Sequence, residues 1–521
     1  MSTPTTLAEL VTDVARRDGE KPAILFQEHT ISYAQLDQAI ELTANALAAR
    51  GMQQGDRVAI MLPNIPHFVV AFYAVLRLGA IVVPLNVLYK EEEIAHVLGD
   101  SEARLFITFE RFYEQGAGAV RQSPAIEQVI VVGSGLAPEG ASVWNIGMPV
   151  LAFDAPRRTP ATVQPDDLAV ICYTSGTTGR SKGAMLTHRN FIANCEQLDS
   201  LKIASQPSDR VLLVLPLFHI YAMNVGMNAA LRQGATIVLM VRFEPIPVLE
   251  AIQQHRCTIF LGAPPMFVAW VHLPEIDRYD LSSLRALSSG AAALPAQVLA
   301  RFQELTGLEI MEGYGLTEAA PVTHSNAAGP RIKPGTVGPT IPGVEARLVD
   351  DEDRDVPPGA EGEIVVRGEN VLAGYWRQPE ATAEALRGGW LHTGDIATRD
   401  EDGYYTIVDR KKDMINAGGF KVWPREVEEV LFRHPAVRDA AVVSMPDTYA
   451  GERPLAYVVL KDGQHADAAA LIAYCKEHLA SFKAPAMVAF RDELPKNNTG
   501  KVLRRELREE ARHMVSEEVA G

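Results

Sequence analysis

The feature that most constrains the fold is an order of elements that occurs twice. Arg57 to Pro63 reads RVAIMLP, a short continuous apolar run of the kind that forms a fully buried strand. An apolar helical stretch follows, then Gly79 at the helix end, then a second apolar run within LRLGAIV. RVLLVLP at Arg210 to Pro216 and LRQGATI from Leu231 repeat that order. Each unit reads as strand, helix, parallel strand, and such crossovers place helices on both faces of a sheet. The expected fold is therefore α/β, with two similar doubly wound subdomains in one large N-terminal domain. Arg77 and Gly79 interrupt the greasy stretch from His67 to Leu85, so helix, turn and strand are expected there rather than a membrane span.

Other segments extend this plan. Thr6 and Glu9 form a T-x-x-E pattern ahead of Leu7, Leu10, Val11 and Val14 at helical spacing, which predicts a capped opening helix, and Ser32 with Gln35 predicts a second. From Gly335 to about Val408, short apolar runs are punctuated by glycine and proline, as expected of a small β-barrel-like subdomain. After Asp409 helical and strand patterns alternate through EVEEVLFRHPAV, DAAVVSMP, AYVVLK and DAAALIAYCKEHLA, the pattern of a compact α+β domain. A chain of 521 residues exceeds what one core organises, and the expected domains are 1–409 and 410–521.

A formal net charge of −16 argues against a nucleic-acid partner, because no basic stripe is available to neutralise phosphates. No basic tract waits for anionic lipid either, which leaves peripheral membrane contact open but unsupported, with no transmembrane segment expected. Cys172, Cys195, Cys257 and Cys475 lie far apart without C-x-x-C spacing, so neither a disulfide framework nor a zinc site is expected. The opening MSTPTTLAELVTDVARRDG lacks an apolar core and reads as mature protein, and the expected location is cytoplasmic.

The chemistry concentrates behind another buried-strand run, Leu168 to Tyr173, which leads directly into TSGTTGRSKG from Thr174 to Gly183. Gly176, Gly179 and Gly183 free the backbone to turn its amides toward anionic oxygens. Thr174, Ser175, Thr177, Thr178 and Ser181 add hydroxyls, and Lys182 adds a cation. Ser181 stands where a Walker A motif requires glycine, and the spacing is not that of a dinucleotide fingerprint, so ordinary P-loop NTPases and dehydrogenases are disfavoured.

YTSGTTGRSKG resembles the signature of the adenylate-forming superfamily, which includes acyl-CoA synthetases, 4-coumarate CoA ligases, luciferases and peptide-synthetase adenylation domains. Further blocks resemble it in order: LPLFHIYAMN, LSSGAAALP, EGYGLTEAAP, WLHTGD, DGYYTIVDRKKDMINAGGFKVWPREVE and LPKNNTGK. They cover the chain from about Tyr33 to Lys501. The resemblance is nearest to bacterial medium- and long-chain fatty-acid CoA ligases and implies ATP, Mg²⁺ and coenzyme A as cofactors. The implied reaction joins a carboxylic acid to AMP, releasing pyrophosphate, and then transfers the acyl group to the CoA thiol.

The resemblance also implies roles. The glycine loop (Thr174, Ser175, Gly176, Thr177, Thr178, Gly179, Lys182) would hold the phosphates, with Glu318 and Thr174 toward magnesium. Gly290, Ala291, Ala292, Glu312, Gly313, Tyr314, Gly315, Thr317, Asp395, Ile407 and Arg410 would surround the nucleotide, Tyr314 under adenine and Asp395 on the ribose. Lys501 would meet charge building between carboxylate and α-phosphate. The small domain would be mobile, turning about Lys412 to exchange Lys501 for a slot lined by Gly418 and Gly419, with Lys421 and Arg242 toward CoA. Lys421 and Asn416 depart from the coumarate-ligase pattern of glutamine and lysine.

For the acid, FHIYAMN lacks the aspartate that peptide-synthetase domains use to bind an amino group. His219 would gate the acyl channel. Tyr221, Val225, Ala291, Gly315, Leu316 and Ala319 would form a small, apolar pocket, so a fatty acid is expected. The alternatives are an aryl acid such as a cinnamate, or a fatty-acyl-AMP ligase that loads a carrier protein. A monomer or homodimer is expected.

Overall fold

The computed structural model describes residues 4–135, 140–147, 150, 161–174, 181–447, 450–497 and 500–520. The loop positions Ser175, Gly176, Thr177, Thr178 and Gly179 lie outside them.

The doubled order of elements is a doubled architecture. In one eight-stranded sheet, Arg57–Met61 lies between the parallel strands Ile81–Pro84 and Leu105–Phe109, followed by Gln128–Gly133 and Ala141–Asn145. In the other, Arg210–Leu213 lies between Thr236–Leu239 and Ile259–Gly262, followed by Ala286–Ser289 and Ile310–Gly315. Each sheet carries an antiparallel pair beside its second strand: Leu168–Thr174 with Lys182–Thr187 in one, Pro22–Phe26 with His29–Ser32 in the other. Even the register agrees, with Arg57 opposite Ile81 and Arg210 opposite Thr236.

Two helical segments occupy equivalent positions after the first strand of each unit. Helix Pro66–Arg77 is buried at every position from Pro66 to Leu76, which explains why its sequence is apolar all round. Its counterpart is a π-helical stretch, Tyr221–Asn228, continued by helix Ala229–Gln233. Tyr73 donates to Asn228 Oδ1 at 2.7 Å and so joins the two. Gly79 follows the first helix at φ +69, the left-handed turn read from the sequence.

Four antiparallel strands, Val344–Val349, Gly362–Gly368, Leu391–Arg399 and Tyr405–Arg410, form the β-rich subdomain, while Gly374–Tyr375 joins the edge of the first large sheet beside Lys182–Thr187. From Ile415 onward the strands belong to a separate five-stranded sheet with apolar clusters on both faces, covered by helices Pro424–Arg433, Ala468–His478 and Arg504–Ala520.

Two local expectations need correction. Ser32 and Gln35 do form a capping box, but Thr6 caps nothing: Leu7–Glu9 winds as a 3₁₀ turn, and the Leu7 amide donates to His188 Nδ1 at 3.2 Å instead. Gly183 is a strand residue opposite Tyr173 and not part of a phosphate-facing turn. A Cβ there would lie 2.7 Å from Ile171 Cγ2, so the glycine permits close packing. Among the described residues no helix is long and apolar enough to cross a membrane.

Candidate active site

A cleft of about 890 Å³ opens at the carboxyl ends of the parallel strands, where open α/β sheets place their ligand sites. Cys172, Tyr173 and Thr174 enter it from Leu168–Thr174, Ser288 to Ala291 from the end of Ala286–Ser289 and the residues after it, and Tyr314 to Glu318 from the end of Ile310–Gly315 and the turn after it. Phe218 to Tyr221 and Val225 come from the π-helical segment and the turn before it. Arg410 reaches the cleft from the four-stranded sheet, and Asn497 and Lys501 from the small unit.

Thr174 and Lys182 face each other across the antiparallel pair that brackets the glycine loop. The Lys182 ammonium lies 5.4 Å from the Tyr375 ring centroid, and the Tyr375 hydroxyl donates to Glu318 Oε1 at 3.0 Å. Three asparagines hold the turn that carries Glu318. Asn370 donates to Ala319 O at 2.7 Å, Asn224 to Ala320 O at 2.7 Å and Asn194 to Val322 O at 2.9 Å. The turn also uses uncommon backbone, with Ala320 at φ +59, and Ala291 on the cleft wall stands at φ +71. Left-handed alanines of this kind cluster where surrounding structure fixes a functional geometry. Gly315 admits no side chain, since a Cβ would lie 2.1 Å from Pro321 O.

Asp395 and Arg410 are direct neighbours across paired strands. Arg410 Nε lies 2.7 Å from Asp395 Oδ1, and the Tyr314 hydroxyl donates to Oδ2 at 2.6 Å. Asp395 is 3% exposed, so its charge is matched before any ligand arrives. Lys501 sits in a tight turn in which Gly500 has φ +79 and Asn497 Oδ1 accepts the Lys501 amide at 2.9 Å. The Arg410 guanidinium, and then burial in the cleft, press the Lys501 pKa down to about 8, against the pull of Asp395. Burial, aided by the nearby Lys501, lowers His219 to about 4, and its Nδ1 accepts the Tyr221 amide at 3.3 Å. His219 is therefore a neutral imidazole at physiological pH.

The structure gathers Thr174, Lys182, His219, Tyr221, Val225, Gly290, Ala291, Gly313, Tyr314, Gly315, Leu316, Thr317, Glu318, Arg410 and Lys501 on one cleft, with Asp395 behind Tyr314 and Arg410. It leaves others outside. Glu312 accepts the amides of Leu294 and Gly335 and so ties two loops together. Ala292 and Ala319 are off the cleft wall, Ile407 gives its carbonyl to Arg425, and Arg242 pairs with Glu244 on the surface at 2.6 Å. Lys412 lies in the turn Lys411–Asp413 between the sheets of the two units. Gly418 and Gly419 form a two-residue hairpin turn at φ +63 and +93, with Asn416 Oδ1 accepting the Gly419 amide and Lys421 opposite Asn416. Tyr375, Ser288, Ser289, Thr393 and Asn497 line the cleft without having been singled out from sequence.

Residues 11–376 match the AMP-binding enzyme family, and residues 426–501 match the AMP-binding enzyme C-terminal domain. The chain belongs to the AMP-binding enzyme family. Its relatives include a long-chain-fatty-acid–CoA ligase of Bacillus subtilis, 39% identical across 97% of this chain and 94% of the relative. A feruloyl-CoA synthase of an Amycolatopsis species is 39% identical across 95% and 96%. An anthranilate CoA ligase solved with anthranoyl-AMP superposes with a TM-score of 0.89 at 30% identity, covering 99% of both chains. The protein is thus an AMP-forming acid–CoA ligase that uses ATP, Mg²⁺ and CoA. The donors present suit that metal: Glu318 and Thr174 line the cleft with a carboxylate and a hydroxyl, and Mg²⁺ takes one or two carboxylates plus substrate phosphates and water. Glu318 with Thr174 can provide such a partial shell.

Proposed function

We propose that this AMP-binding enzyme activates a medium- or long-chain fatty acid. The observation that carries the reading is the wall formed by Phe218, Ile220, Tyr221, Val225, Leu316 and Val322 beside His219, an apolar surface for a hydrocarbon tail. The bacterial fatty-acid ligases among its relatives support it.

In this reading the acid's carboxylate lies between neutral His219 and the Lys501 ammonium, while Arg410, Lys182 and Lys501 offset charge on the nucleotide. ATP supplies the adenylyl group, and magnesium, when bound, shields its phosphates. Asp395 orients Arg410 and Tyr314 and accepts from the ribose. The small unit, divided from the large one after Asp409, then turns about Lys412, withdrawing Lys501 and bringing Gly418 and Gly419 to the pantetheine path. Lys421 and Arg242 are assigned to CoA. The four free, buried thiols fit a cytoplasmic location.

One observation favours a second reading. The Ser289 hydroxyl is buried without a hydrogen-bond partner among the described residues, and Ser289 lines the cleft beside Tyr221, whose hydroxyl is served by Ser288. An orphaned hydroxyl costs about 1–3 kcal/mol, which a ring hydroxyl or amino group on an aryl acid would offset. AMP release dependent on both ATP and CoA, measured from acetate to palmitate and with coumarate and ferulate, decides between them. A maximum among the longer alkanoates supports the first reading, and a preference for ring acids that is lost in Ser289→Ala supports the second.

A further inference from the structure

The seam between the two units contains a helix cap supplied from the opposite side. Helix Pro424–Arg433 of the small unit begins with proline, which has no N–H, and Trp423 at its N-cap position makes no side-chain cap bond. The first free amide, that of Arg425, donates instead to Asp409 Oδ2 at 2.9 Å. Asp409 belongs to strand Tyr405–Arg410 of the large unit, opposite Ile396, and is 7% exposed. Its other oxygen accepts the Arg410 amide at 2.7 Å. Two further bonds cross the seam here. Arg425 Nη1 donates to Ile407 O at 2.6 Å, and Trp423 Nε1 donates to Glu361 Oε2 at 3.0 Å.

The same helix is tied to the Lys501 turn. Glu428 accepts Arg504 through both oxygens, at 2.6 and 2.8 Å, and Arg504 opens the C-terminal helix three residues beyond Lys501. A carboxylate at a helix N-terminus satisfies an amide that otherwise lacks a partner and favours the local dipole. Both effects require the two units to stand as they do here.

We propose that Asp409 is a positioning residue, a cross-domain helix cap that latches the small unit in the orientation presenting Lys501 to the cleft. This rests on the two-step reading above, in which the small unit leaves that orientation before CoA reacts. Losing the latch shifts the population of orientations, so it slows the step that needs Lys501 and spares the step that does not.

The test separates the half-reactions: acid-dependent exchange of labelled pyrophosphate into ATP without CoA, and thioester formation from a chemically prepared acyl-adenylate plus CoA. For Asp409→Ala, exchange falls roughly five- to tenfold, the scale of a lost buried cap, while thioester formation stays within about twofold of the wild type or rises. Asp409→Asn keeps an acceptor oxygen toward Arg425 but turns an N–H against the Arg410 amide, so it recovers only part of the exchange. Trp423→Phe, which loses only the bond to Glu361, shifts the two steps in the same sense by a smaller factor. Equal losses in both steps, or no loss in either, would overturn the latch. So would a raised KM for ATP with full exchange kcat, which would mean that Asp409 acts through Arg410. A wild-type enzyme that performs neither half-reaction defeats the ligase reading itself, whereas a competent wild type with unsplit variants defeats only the latch.

Discussion

The ammonium of Lys501 gives the sharpest handle on the first half-reaction. Arg410 and burial hold its pKa down to about 8, so the cation is nearly complete at pH 7, half present at pH 8 and about one-tenth present at pH 9. If charge on Lys501 stabilises the developing negative charge, kcat/KM for acid-dependent pyrophosphate exchange falls roughly tenfold per unit above pH 8, because that parameter reports the free enzyme. Bound nucleotide adds anionic phosphates beside the ammonium and raises its pKa, so the limb in kcat lies at higher pH. The sign is fixed by the charge type: the active form is protonated, and activity is lost as pH rises. Lys501→Arg keeps a cation at every accessible pH, so the limb should vanish even where the altered side chain lowers the plateau. Lys501→Ala should cost about 10²- to 10³-fold in exchange, the usual scale for one preorganised donor. An alkaline limb that persists unchanged in the Arg variant, or an Ala variant within about threefold of the wild type, would refute this role.

Three other outcomes follow from the geometry. A Cβ on Gly500 would lie 2.0 Å from Pro265 Cγ in the large unit, and the backbone there has φ +79. Gly500→Ala should therefore slow pyrophosphate exchange at least tenfold while leaving thioester formation from supplied acyl-adenylate near normal. Gly419 has open space around it in this orientation but stands at φ +93, so Gly419→Leu strains only its own hairpin and should spare exchange while slowing thioester formation; a loss confined to exchange would contradict its assignment to the CoA path. Asn224 is fully buried and bonds Phe191 O, Ala320 O and Asn228, so Asn224→Leu should destabilise the fold by about 2–4 kcal/mol in urea unfolding, and an unchanged midpoint would be the contrary result.

Much of the fold was legible because its pattern is local. Continuous apolar runs ending at Pro63 and Pro216, with glycine after the following helix, specify a strand, a helix and a parallel strand wherever they occur, and both sheets use them in the same order. Gly418 and Gly419, read from the sequence as a slot for CoA, stand in a two-residue hairpin turn whose two successive left-handed residues favour glycine. What escaped was long-range. Tyr375 stands on a two-residue edge strand and meets Glu318 only through tertiary pairing with Ala184. The asparagines behind the Glu318 turn left one clue, namely Asn224 and Asn228 four positions apart inside an apolar helical run. Buried amides in such a setting need partners, but sequence does not name them. The π-helical winding that turns Tyr221 and Val225 to the cleft has no counterpart in apolar periodicity, and the contact of the Leu7 amide with the distant His188 left no mark in the sequence around Thr6.

The most direct test is whether the purified protein, given ATP, magnesium and its preferred acid but no CoA, exchanges labelled pyrophosphate into ATP, and then forms AMP and a thioester in equal amounts once CoA is added. The account predicts acid-dependent exchange that Lys501→Ala lowers by about 10²- to 10³-fold. Absence of exchange across fatty and aryl acids, or release of ADP and phosphate in place of AMP and pyrophosphate, would contradict it.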